Sequence, residues 1–137
     1  MCLTLHPTDS HRPYNKSNIR YKIATIEPNG RLFSAFRYTP YRKRCFNKAR
    51  NVYCTYEPCI IDPTTTGFHI YTNKRFATQA ASYYNYSSRD NHVVLKVQVK
   101  GFLRKGIFMG KRCETWRYMK ILSVTRVSNL YKNIYKL

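Results

Sequence analysis

The tightest constraint on the fold is a run of strict alternation. Through residues 92 to 100, Val93, Leu95, Val97 and Val99 alternate with Val94, Lys96, Gln98 and Lys100. Successive strand side chains point to opposite sides, so this pattern dictates a strand with one apolar face. Such a strand has to pair within a sheet and press its apolar face on a core. Residues 19 to 27 carry a second alternation, Ile19, Tyr21, Ile23 and Thr25 against Arg20, Lys22, Ala24 and Ile26. Pro28-Asn29-Gly30 comes next as a turn signal, because Pro fixes the first corner and Asn-Gly tolerates positive φ. Residues 31 to 38 then read as the returning strand of a hairpin.

Further along, residues 68 to 71 and 116 to 127 read as strands, and residues 101 to 110, with three glycines, as turns around a short extended piece. Phe76, Ala77, Ala80, Tyr83 and Tyr84 recur at helical spacing, so a helix over residues 73 to 84 turns one side to a core. Thr72 is its expected cap. Residues 52 to 61 suit a short edge strand, since Pro58 cannot donate to a central ladder. These elements predict an α+β fold: a small mixed, mainly antiparallel sheet with one principal helix. Residues 1 to 18 read as an N-terminal arm. Residues 19 to 127 form a single domain with a basic insertion at 39 to 61, and residues 128 to 137 a tail with an amphipathic pattern.

Charge sets the expectation for partners. Among 137 residues, Lys and Arg number 25 and Asp and Glu 6, a formal net charge of +19. An excess of this size attracts polyanions in a salt-dependent way. It predicts cations gathered on a face that nucleic acid, an acidic protein or a nucleoprotein complex would cover. The chain also has 13 tyrosines, whose rings can stack on bases while their hydroxyls stay wet. Cations and aromatics interleave most densely at Arg37, Tyr38, Tyr41, Arg42, Lys43, Arg44, Lys48 and Arg50, the first expected contact region. Arg104, Lys105, Lys111 and Arg112 make a second. Such composition gives affinity for phosphates without sequence preference.

Chemistry beyond binding has little support. The carboxylates Asp9, Glu27, Glu57, Asp62, Asp90 and Glu114 show no spacing of an acid/base pair. The cysteines, Cys2, Cys45, Cys54, Cys59 and Cys113, lack the close knuckle spacing of structural zinc sites. We therefore expect reduced thiols, no metal and no cofactor. His69 or His92 could meet a thiol in space, but nothing local points to catalysis. Residues 1 to 13 lack the apolar run of an export signal, and no stretch is long and apolar enough to span a membrane. The expected compartment is a cytosol-like one.

Met1-Cys2-Leu3, Tyr21-Lys22, Ser34 with Phe36, Gly67-Phe68-His69 ahead of the helix, and the strand at 93 to 99 resemble, in that order, a group of small uncharacterised phage and prophage proteins. The resemblance covers residues 1 to 40 and 66 to 125. It implies an α+β fold and a viral setting, in the cytoplasm of an infected bacterium or in a virion. Residues 41 to 61 and the tail depart from the pattern. The same order of Tyr-Lys, Ser and Gly-Phe-His is also similar to the half-barrel of ADP-ribosyltransferases, although only Glu114 is available for the late glutamate of such enzymes. Three functions are thus open: a non-enzymatic basic accessory or structural protein binding nucleic acid or a nucleoprotein assembly; a protein-binding module, either a virion component or an inhibitor of a host defence complex; and a nucleotide-acting enzyme. His69 is a possible functional polar residue, opposite Phe68 on its strand. Gly67 is expected to supply an unusual backbone angle.

Overall fold

The computed structural model describes residues 4–5, 12–35, 39–49, 67–87, 91–108 and 110–127. The expectations for Arg37, Tyr38 and Arg50, for residues 52 to 61 and for the tail lie outside them. The elements are β1 (Thr4–Leu5), β2 (Ile19–Ile26), β3 (Leu32–Ser34), β4 (Phe46–Lys48), β5 (Phe68–Tyr71), α1 (Lys74–Ser87), β6 (His92–Phe108) and β7 (Lys111–Arg126). Every strand pairing among the described residues is antiparallel. The fold is α+β, one helix on a mainly antiparallel sheet.

A long hairpin, β6 with β7, is the spine. The two pair from Val93↔Arg126 to Phe108↔Lys111. β2 lines the other edge of β6, from Ile19↔Gln98 to Thr25↔His92, and β5 lines the other edge of β7, from Phe68↔Trp116 to Tyr71↔Cys113. β2 and β5 meet at Tyr21↔Tyr71, so β6, β2, β5 and β7 close into a ring. The alternating residues Val93, Leu95, Val97 and Val99 fill its interior with Ala24, Ile70, Trp116, Met119 and Ile121. On the outside, α1 lays Ala77 and Ala81 against Ile23, Tyr71 and Val94. The alternation at 92 to 100 thus serves two layers: one face fills the ring and the start of the other carries the helix. Asn85 fastens the end of α1, accepting from the His92 amide at 2.5 Å and donating to its carbonyl at 3.1 Å.

Several expectations are corrected. β6 does not stop at Gly101 but runs through it and Gly106 to Phe108. Gly101 takes φ +74, and the register shifts between Phe102 and Arg104. A positive-φ glycine lets the ladder bend without breaking. Across this bend the inward partners change from Val99↔Met119 to Phe102↔Trp116, so the hairpin coils around its core. β7 accordingly starts at Lys111, ahead of the expected 116. The expected arm contributes β1, paired with Ile107 and Gly106. The helix runs to Ser87, past the predicted end. Its cap is Asn73 in place of Thr72, with Oδ1 accepting from the Phe76 amide at 2.9 Å. The returning strand β3 ends at Ser34. Gly67 has no positive φ; its need is space, since a Cβ there would come within 3.0 Å of the Trp116 carbonyl oxygen.

The ring interior holds an ion pair. Arg20 on β2 and Glu114 on β7 are both fully buried, and the Arg20 Nε donates to Glu114 Oε1. The Trp116 indole N–H donates to the same oxygen at 3.2 Å, and the Tyr14 amide donates to Oε2 at 2.7 Å. The guanidinium also donates to the carbonyls of Ser17, Ile19 and Asn15 at 2.6, 2.8 and 3.2 Å. The pair therefore ties the segment before β2 to the turn-proximal part of the hairpin. Burying two charges costs several kcal/mol each, and leaving one unpaired costs about 3–5 kcal/mol. Glu114→Leu and Arg20→Met should each lower the unfolding free energy in urea by about that amount. The double variant should be clearly more stable than the sum of the two losses predicts, and strict additivity would show that the two groups do not act as a pair.

Candidate nucleic-acid interface

The ladder registers place a set of side chains on one face. Directly opposed residues of an antiparallel pair share a face of the sheet. Lys100 of β6 opposes Tyr118 of β7, which opposes Lys48 of β4. In the next row on this face Gln98 opposes Lys120, which opposes Phe46. Val99 and Met119, between the rows, point into the ring core, so both rows face outward. Lys96, two residues before Gln98, continues the face and is exposed. Phe46 is 41% exposed, and Tyr118 and Lys120 are half-buried. The Lys100 ammonium sits 5.9 Å from the Phe46 ring centre and 5.7 Å from that of Tyr118. The described carboxylates lie elsewhere: Glu114 is inside the ring and Glu27 is at the β2–β3 turn.

β4 exists because of a local turn. Arg44 adopts φ 71, the one non-glycine residue among those described with positive φ. Asn47 braces the loop, its Oδ1 accepting from the Arg42 amide at 2.7 Å and its Nδ2 donating to the Arg42 carbonyl at 2.9 Å. This brings Phe46 and Lys48 onto the edge of β7.

The residues expected from sequence fall into separate places. Lys48 is on the outward face just described. Arg42, Lys43 and Arg44 are exposed in the loop before β4; Lys43 donates to the Gly30 carbonyl at 2.9 Å and rims an open hollow of about 300 Å³ beside Arg31. Tyr41 is packed on the ring core, edge-on to Phe68 at 6.0 Å, so its ring is not a surface platform. The second group lies toward the hairpin end. Lys105 is buried with its ammonium 4.9 Å from the Tyr14 ring centre, and the exposed Arg112 covers the same ring at 5.4 Å. Lys111 reaches Gln79 of the helix at 2.7 Å. Arg104 is half-buried, its amide donating to Thr115 Oγ1 at 3.2 Å. Strand geometry explains the separation: from Lys111 to Met119 a strand advances about 26 Å. Sequence reading missed Phe46, Tyr118, Lys120, Lys96 and Lys100 as one set, because they come from three strands. The polar side of the alternation at 92 to 100 was the available signal.

His69 lies on the side of β5 opposite Phe68 and is half-buried. Its carbonyl accepts from the Lys22 ammonium at 2.9 Å. Cys45 is exposed and Cys113 buried, and among the described residues no three potential metal-ligating groups cluster. No helix among them is long and apolar enough to cross a membrane. Comparison with protein-family models, curated proteins and solved structures finds no match.

Lys22, between Arg20 and Ala24 on β2, also has its ammonium 5.9 Å from the Phe68 ring centre. Burial lowers its pKa from 10.5 to about 8, while burial pushes the nearby Cys113 thiol up from 9.0 to about 12. Between pH 8 and the unfolded lysine value, the unfolded chain binds the extra proton, so the Lys22 contribution to stability rises with pH. Cys113 acts in the opposite direction above pH 9, where the unfolded chain loses its proton first. From pH 7.5 to 9, urea unfolding of the native protein minus that of Lys22→Met should therefore shift in favour of the native protein. A difference that stays flat would show that the ammonium is as well solvated in the fold as in the unfolded chain.

Proposed function

We propose that this protein is a non-enzymatic, basic nucleic-acid-binding protein that uses the outward face of β4, β7 and β6 as its contact surface. The observation carrying this reading is the pair of cross-strand rows in which Lys48, Lys100 and Lys120 flank Phe46 and Tyr118. Lysine ammonium groups act on phosphates as point charges and require no fixed geometry. The rest of the +19 charge draws a polyanion in from any direction. The viral setting implied by the resemblance, in an infected cell or a virion, suits a small protein coating nucleic acid or a nucleoprotein.

Association should weaken steeply as salt rises from about 50 to 200 mM, measured by fluorescence anisotropy with labelled oligonucleotides. Removing Lys48, Lys100 and Lys120 together should reduce the slope of log K against log salt by roughly 2 to 3. The same change at Lys74, Arg75 and Arg31, exposed elsewhere, should do less. Equal effects from both sets, or no binding at the lowest salt, would defeat the proposal.

A second reading, a protein-binding module, draws on Leu122 and Val124, exposed near the end of β7. A partner retained on the protein after nuclease treatment would favour it.

A further inference from the structure

The spacing of the rings on the face of β4, β7 and β6 bears on which form of nucleic acid that face takes, a question that rests on the nucleic-acid reading of the face. Phe46 and Tyr118 are diagonal neighbours on adjacent strands, one residue pair offset by two from the other. Diagonal neighbours stand about 7–8 Å apart, a spacing that accommodates separate bases of an extended strand. A double helix offers an outer surface of phosphates and sugars, and its bases are read through grooves. A broad sheet face carrying rings cannot enter a groove as a helix or a two-stranded ribbon does. On duplex, therefore, only the lysines of this face would be used, and the rings would gain little. On a single strand, exposed bases can lie on the rings while phosphates reach the ammonium groups around them.

Lys100 adds a second observation. Its ammonium is within 6 Å of both ring centres in the free protein, at 5.9 and 5.7 Å. It is held at the junction of the two platforms, where the phosphate linking two stacked bases would pass. Lys48 and Lys120 lie beside Tyr118 and Phe46 in their rows, so cations border each ring. Tyr41 and Trp116, packed into the ring core, cannot supply such platforms.

We infer that the face selects single-stranded nucleic acid, stacking bases on Phe46 and Tyr118 with Lys100 pairing to the phosphate between them. Stacking is tolerant of base identity, so the expected ligand is any unpaired segment of DNA or RNA. The ring effects should be nearly independent of salt, and the lysine effects strongly dependent on it.

The test compares the full chain and its variants on labelled oligo(dT), oligo(U) and a duplex of the same length. Native protein should favour the single strands at moderate salt. Phe46→Ala and Tyr118→Ala should each weaken single-strand binding by about 5- to 150-fold while leaving the salt slope and duplex binding nearly unchanged. Phe46→Leu keeps an apolar side chain on β4 and loses the ring; it should behave like Phe46→Ala, and circular dichroism on each variant identifies any that misfolds. Single-strand binding unaffected by Phe46→Leu, or equal affinity for duplex and single strands, would overturn the inference while leaving the nucleic-acid reading intact. Failure of every oligonucleotide to bind near about 50 mM salt would overturn both.

Discussion

The buried pairing of Arg20 with Glu114 is the interaction on which the remaining architecture turns. An arginine and a glutamate with no exposed surface can persist only when nearly all their hydrogen-bonding capacity is met. Here it is met by Trp116, by the Tyr14 amide and by the carbonyls of Asn15, Ser17 and Ile19. These partners lie in the chain before β2, in β2 itself and in β7. A slip of β2 or β7 by one residue would turn a charge outward and an apolar side chain with it. The pair thus fixes the register of strands that otherwise touch each other only through the ring. In a chain with so few carboxylates, one is committed to the interior and cannot soften the cationic exterior.

The closed ring explains how a small sheet displays an outward platform. A flat sheet covered by α1 would have one face for the core and one for the helix. Closure moves the core inside, leaving the outside as a continuous surface of which α1 covers only part, over β2, β5 and the start of β6. Among the described residues, the part that α1 leaves uncovered includes the side where β4 joins β7. Coiling depends on Gly101, whose positive φ lets the inward set switch parity and carry the hairpin around the core. Tight approach at Gly67 lets β5 lie against the Trp116 backbone. The platform on the outside is a consequence of how the inside is closed.

Much of this was legible locally. The apolar alternation at Val93, Leu95, Val97 and Val99, the turn at Pro28-Asn29-Gly30 and the helical spacing of Phe76, Ala77 and Ala80 each specify their own element, because strand and helix periods are written in adjacent residues. Gly101 misled in the same terms: glycine marks both turns and bulges, and the partner strand decides between them; Gly106 is an ordinary ladder residue opposite Cys113. Thr72 read as the cap because the helix was expected to begin at residue 73; with Lys74 as its first residue, the cap falls on Asn73. Cation density at residues 37 to 50 pointed toward Lys48, yet it also drew in Tyr41, whose ring the fold uses as core.

By itself, then, the sequence determined the class of fold, the identity of the main strands and helix, and a net charge of +19. These depend on composition and on periodicities spanning a few residues. Only the tertiary structure decided that the sheet closes on itself, that Glu114 is committed to Arg20, and that Phe46, Lys48, Lys96, Lys100, Tyr118 and Lys120 share a face. Those relations join residues on different strands, far apart along the chain, and their neighbourhood is set by register and bulges that no local pattern encodes.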